Sequence, residues 1–96
     1  MKRNCVIIGV GPGNGASFAR RFASAGYQVA ILSRNETYLK RLSSEIPGSS
    51  PIYCDVCDPT SIGQAFDRVH EALGAVDVMI YNAGAGDWKS VEDTLL

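Results

Sequence analysis

The stretch Asn4-Cys5-Val6-Ile7-Ile8-Gly9-Val10-Gly11-Pro12-Gly13-Asn14-Gly15 decides how the rest of the chain is read. It opens with a short β-branched and apolar run that stops at Gly9, the pattern of a strand buried on both faces. Four of the chain's ten glycines then fall between Gly9 and Gly15. Past Gly15 the apolar residues take helical spacing, with Phe18, Phe22 and Ala25 predicted on one face and Arg20, Arg21 and Ser24 away from it. Gly26 stands where a left-handed helix cap is usual. A phosphate can approach a backbone only where side chains are absent, and free N–H groups at the positive end of a helix dipole then favour its charge. The glycines meet the first condition and the helix start meets the second. The spacing Gly9-x-x-x-Gly13-x-Gly15, set between strand and helix, therefore predicts a phosphate-binding turn in preference to a tight connection that binds nothing.

Working outward, Val29 to Leu32 reads as a second strand, and Glu36 to Ile46 as a helix with Leu39, Leu42 and Ile46 on one face, stopped by Pro47-Gly48. Ile52 to Cys54 reads as a third, shorter strand. Asp58-Pro59 supplies an N-cap followed by proline at the first helical position, and Ile62, Ala65, Phe66, Val69 and Leu73 continue at helical spacing to Gly74. Val76 to Tyr81 is a fourth strand, a glycine-rich loop runs to Gly86, and Ser90-Val91-Glu92-Asp93 resembles a capping-box start. Strands this apolar that alternate with helices predict an α/β fold, a parallel sheet covered on both faces through right-handed crossovers.

Composition narrows the partners. The 96 residues carry 9 Lys+Arg against 10 Asp+Glu, a net charge of −1, with no basic cluster longer than a pair such as Lys2-Arg3, which argues against nucleic acid or an anionic membrane. No apolar run approaches the ~20 residues of a membrane span, and the first is too short for a signal-peptide core. A chain of this size buries roughly 60 to 68% of its unfolded surface, enough for one domain, taken as residues 1–96. Three cysteines, Cys5, Cys54 and Cys57, are too few and odd in number for a disulfide scaffold, so a reducing cytoplasm is the expectation.

The end of the second strand reads Leu32-Ser33-Arg34-Asn35. In dinucleotide-binding folds an acidic residue here accepts hydrogen bonds from the ribose hydroxyls of NAD, whereas an arginine offers a charged fork to the 2′-phosphate of NADP. Ser33 takes the place of the acid and Arg34 follows it, which favours NADP over NAD. Glu36 is the objection, better read as a first-turn carboxylate that complements the helix dipole.

With these residues in view, the chain resembles the single-domain branch of the short-chain dehydrogenase/reductase family. The resemblance rests on Gly9-x-x-x-Gly13-x-Gly15, Asp55-Val56 after the third strand and Asn82-Ala83-Gly84 after the fourth, and covers essentially the whole chain. It implies a Rossmann-like doubly wound sheet of order 3-2-1-4, cut short after the fourth strand. It further implies that Gly9, Gly11, Gly13, Asn14 and Gly15 line the pyrophosphate and adenosine, Ser33, Arg34 and Asn35 the 2′-phosphate end, and Asp55 with Val56 the adenine ring. Asn82, Ala83 and Gly84 would border the ribose. Ile8 stands where the family usually has threonine and Tyr81 where it often has asparagine. The family's catalytic serine, tyrosine and lysine, with a Tyr-x-x-x-Lys signature, have no counterpart: Tyr27, Tyr38, Tyr53 and Tyr81 are followed four residues on by Ile31, Leu42, Cys57 and Ala85. The expectation is the NADP(H)-binding N-terminal part of a reductase acting on a small carbonyl or alcohol, inactive by itself, in a parent that forms dimers or tetramers. The alternative is a non-catalytic NADP(H)-sensing or interaction module.

Other candidates carry less. Cys54-Asp55-Val56-Cys57 has redox or metal spacing, but no second pair completes a zinc site and no helix begins after the first cysteine, so incidental cysteines and no metal are expected. His70, the sole histidine, fits a solvated helix flank, and Trp88 could edge a substrate pocket or cover the last helix. In the expected order the fourth strand is an apolar edge that calls for a cover, from a continuing chain or from a partner.

Overall fold

The computed structural model describes residues 2–9 and 14–82. The elements follow in the order β1 (Asn4–Ile8), α1 (Asn14–Ser24), β2 (Gln28–Ser33), α2 (Glu36–Glu45), β3 (Ser49–Tyr53), α3 (Pro59–Leu73) and β4 (Val78–Tyr81). All pairings are parallel, as the alternation of strands and helices predicts, and the sheet order is β3-β2-β1-β4, as the family resemblance implies.

Alternation along the two central strands sorts the core into two layers. Cys5 and Ile7 of β1 and Val29 and Ile31 of β2 face α1 and α2, where Ala16, Ala19, Leu39 and Leu42 meet them. Val6, Ile8, Ala30 and Leu32 face the other way, onto Ala65 and Val69 of α3 and onto Ile52 of β3. Neither central strand has a polar face, because both of its faces are covered. Each fully buried Ile, Leu or Val contributes about 1.5–3 kcal/mol by leaving water.

Three expectations change. The buried face of α1 is Ala16 and Ala19, with Phe22 and Ala23 partly covered, while Phe18 is 39% exposed and Ala25 lies beyond the helix. Small residues let the helix lie close on the sheet, and that close approach outweighs the burial a phenylalanine would gain. Phe22 instead packs edge-on against Tyr27, ring centroids 5.0 Å apart. β3 begins at Ser49, three residues before the apolar run, since an edge strand needs only backbone pairing on one side; Pro51 is tolerated there for the same reason. β4 begins at Val78, yet Asp77 already donates its N–H to the Asn4 carbonyl at 3.0 Å.

The helix ends follow the sequence signals. Asp58 caps α3 by accepting from the Thr60 N–H at 3.0 Å, and Gly74 closes it with φ +82°. Asn35 caps α2 through Oδ1, which accepts from the Tyr38 N–H at 3.0 Å.

The candidate dinucleotide site

The parallel sheet places the ends of all four strands in one row. The Gly9 N–H donates to the Leu32 carbonyl at 2.9 Å, the Cys54 N–H to the Ser33 carbonyl at 3.0 Å, and the Asn82 N–H to the Ile8 carbonyl at 2.8 Å. Gly9, Ser33, Asp55 and Asn82 therefore stand side by side along the carboxyl edge of the sheet, on neighbours spaced roughly 4.8 Å apart. In open α/β sheets the crevice outside that edge is where ligands bind.

Gly9 has φ +83°, a left-handed conformation that a side chain would strain. Its N–H is already engaged by β2, so its part at this edge is to turn the chain sharply out of β1 toward α1. Gly15 lies within α1. The predicted residues Gly11, Gly13, Ala83 and Gly84, the side chain of Asn14, and Trp88 lie outside the described residues.

At the end of β2, Ser33 Oγ accepts from the Asn35 N–H at 3.1 Å, and Asn35 in turn caps α2. These two bonds hold the 33–35 turn and leave Arg34 exposed at its tip, with no ion pair among the described residues. Glu36 occupies the first turn of α2, where its charge complements the helix dipole. It lines a cleft of about 200 Å³ with Leu39, Lys40, Pro51, Tyr53 and Arg68, between α2 and the outer edge of the sheet. No carboxylate follows β2 until that helix begins.

After β3 the chain makes a tightly bonded turn. Asp55 donates its N–H to Ser61 Oγ at 2.9 Å, its Oδ1 accepts from the Cys57 N–H at 3.0 Å, and its carbonyl accepts from the Asp58 N–H at 3.0 Å. Among the described residues Asp55 Oδ2 and the Val56 N–H make no hydrogen bond, and the Val56 side chain is 37% exposed. An acceptor and a donor are thus left open on adjacent residues. Sequence reasoning named Asp55 and Val56 but missed Ser61, whose partner lies across the β3–α3 turn and leaves no periodic trace.

The Cys54 and Cys57 thiols do not form a paired site. Both are free; Cys54 is buried, where desolvation and the nearby Asp55 carboxylate raise its pKa, and Cys57 is exposed. Among the described residues no group of three or more His, Cys, Asp or Glu could hold a metal ion. His70 is exposed on α3, its Nδ1 3.1 Å from the Gly74 carbonyl. No helix of the described residues is long and apolar enough to cross a membrane.

Comparison with known proteins bears on this edge of the sheet. The chain is 37% identical over 90 residues to the short chain dehydrogenase/reductase dpmpG of Macrophomina phaseolina, covering 88% of this chain and 51% of that protein. Among solved structures, the actinorhodin polyketide ketoreductase with NADPH superposes with a TM-score of 0.83 at 29% identity, covering 86% of this chain and 33% of that one. The 3-ketoacyl-(acyl-carrier-protein) reductase of Brucella melitensis complexed with NADH gives a TM-score of 0.77 at 27% identity, covering 80% and 32%. The chain thus spans about half, or less, of the length of these relatives. The profile of the family described as short chain dehydrogenase matches residues 3–95, and with the strand order and the carboxyl-edge row it establishes that this chain belongs to the short-chain dehydrogenase family.

Proposed function

We propose that the chain is the NADP(H)-binding N-terminal part of an oxidoreductase that moves a hydride between a nicotinamide and a carbonyl or alcohol substrate. The gathering of Gly9, Ser33, Asp55 and Asn82 at one edge of a parallel sheet carries the reading. Likeness to reductases solved with NADPH and with NADH supports a nicotinamide dinucleotide. When bound, the cofactor supplies or accepts the hydride; the residues of this chain bind and orient its adenosine end.

In this reading Gly9, Gly11, Gly13, Asn14 and Gly15 let the pyrophosphate approach the backbone at the start of α1. Asp55 Oδ2 accepts from the exocyclic amine of adenine while the Val56 N–H donates to the neighbouring ring nitrogen. Asn82, Ala83 and Gly84 border the ribose. Arg34, exposed and free of an ion pair among the described residues, faces the 2′-phosphate, with Asn35 Nδ2 as a second donor. Ser33 brings no charge that would repel that phosphate. The 96 residues contain no Tyr-x-x-x-Lys, and in this reading they contribute cofactor binding rather than hydride transfer. Three free thiols, two of them buried, suit a reducing compartment such as the cytoplasm.

Thermal melts with NADPH and NADH test the binding claim. A ligand at ~100 times its dissociation constant adds about 2.7 kcal/mol of stability, so NADPH raises the midpoint and NADH raises it less. No shift with either nucleotide sinks the proposal. A longer parent polypeptide without Tyr-x-x-x-Lys would leave binding intact and move the reading to a non-catalytic NADP(H) sensor.

A further inference from the structure

Two polar residues are buried among the described residues, Asn4 at 8% exposure and Ser61 at 7%. Asn4 lies at the amino end of the sheet. Ser61 lies at the carboxyl end, three residues past the N-cap Asp58 on α3, and its hydroxyl accepts the Asp55 N–H at 2.9 Å. A buried hydroxyl is retained at a cost unless it is bonded. Here its bond reaches back across the turn to Asp55, whose Oδ2 makes no hydrogen bond among the described residues.

We infer that Ser61 is a positioning residue for adenine recognition, holding Asp55 so that its carboxylate and the Val56 N–H present acceptor and donor at fixed spacing. The inference rests on the adenine assignment above. The Asp55 backbone is fixed at both ends, its N–H by Ser61 and its carbonyl by the Asp58 N–H, and its side chain is oriented by the Cys57 N–H on Oδ1. The other oxygen, Oδ2, is thereby left without a hydrogen-bond partner among the described residues. Without the Ser61 hydroxyl the Asp55 N–H loses its partner in a half-buried place, and the turn is free to rotate the carboxylate away. Ser61 itself touches no ligand in this scheme.

The test compares NADPH with its hypoxanthine analogue, whose base reverses the donor and acceptor that adenine presents. In the full wild-type chain the adenine form binds more tightly by about tenfold, the value of a hydrogen bond to a charged group. Ser61→Ala reduces that preference to about twofold, Ser61→Cys, nearly equal in size and a poorer acceptor, does the same, and Ser61→Thr restores it. Variants that weaken both nucleotides equally, with the preference kept, would make Ser61 merely structural and overturn the inference. A wild-type chain that binds NADPH without preferring adenine would overturn the adenine assignment instead. Because Ser61→Cys keeps the packing, the comparison survives even where Ser61→Ala does not fold.

Discussion

The two ends of the sheet are built to opposite purposes. At the amino end polar groups are closed onto one another: Asn4 Nδ2 donates to the Leu73 and Ala75 carbonyls at 2.7 and 2.6 Å, the Asn4 N–H donates to Asp77 Oδ2 at 2.8 Å, and the Gln28 N–H donates to the Arg3 carbonyl at 2.8 Å. At the carboxyl end the turns are just as well bonded internally, yet Arg34 has no ion pair, and Asp55 Oδ2 and the Val56 N–H make no hydrogen bond, among the described residues. One end is a latch joining β1 to the turn between α3 and β4. The other is a row of braced loops with selected groups unspent. Hydrogen bonding alone therefore does not distinguish structure from site, and neither does a missing partner: Asn4 Oδ1 is buried within the latch with no hydrogen bond, whereas Arg34 and Val56 at the carboxyl end are exposed.

Breaking the latch gives the largest expected effect. Asn4→Asp at pH 7 sets a carboxylate against two carbonyls and costs about 3 to 5 kcal/mol in urea unfolding, while the ratio of NADPH to NADH affinity stays unchanged. A change in that ratio would show that the two ends are coupled. Cys5, beside the latch and fully buried, tests the same end by pH: burial pushes its thiol from the usual 9.0 up to about 11. A thiol whose folded pKa is raised favours the folded state fully below pH 9, and that contribution is lost as pH climbs from about 9 to about 11, because the unfolded chain ionises first. The loss is roughly 2 to 3 kcal/mol over that window. Urea midpoints at pH 8, 9 and 10 should fall more steeply for the wild-type chain than for Cys5→Val, and parallel slopes would remove Cys5 as the cause. The smallest effect belongs to the open end. Arg34→Ala weakens NADPH by about 1 to 3 kcal/mol in titration calorimetry and spares NADH. Equal loss for both cofactors would mean that Arg34 does not read the 2′-phosphate.

Most of the fold was legible because local chemistry and tertiary packing agree. The run Asn4–Ile8 is buried at every position, Asp58 caps where its side chain predicts, and Gly26 and Gly74 end their helices at positive φ. Periodicity mispredicts the face of α1 because it weighs phenylalanine above alanine, whereas a helix lying on a sheet rewards the small side chain at the contact. Sequence signals leave β3 short because Ser49-Ser50-Pro51 has no strand propensity of its own and is held by its partner β2. At the candidate site, Gly9, Ser33, Arg34, Asn35, Asp55, Val56 and Asn82 all lie at the carboxyl edge where their motifs imply. The bond between Asp55 and Ser61 was not readable in advance, nor was the Asn4 latch, which joins residues 69 to 73 positions apart. Such polar contacts depend on which turns meet in space, and no spacing rule records them.

The row of hydrogen bonds from Asn82 to Ile8, Gly9 to Leu32 and Cys54 to Ser33 also acts as a ruler. Each loop of the edge hangs from its own strand, and the strands are held at a separation that backbone pairing does not allow to drift. The contents of one loop can be exchanged, an arginine for a carboxylate after β2 for instance, without altering its distance from the loops on either side. On the proposed reading, cofactor preference is thereby a local variable on a fixed scale, and a chain of this architecture can change which nucleotide it favours while the positions that receive the rest of the molecule stay where they are.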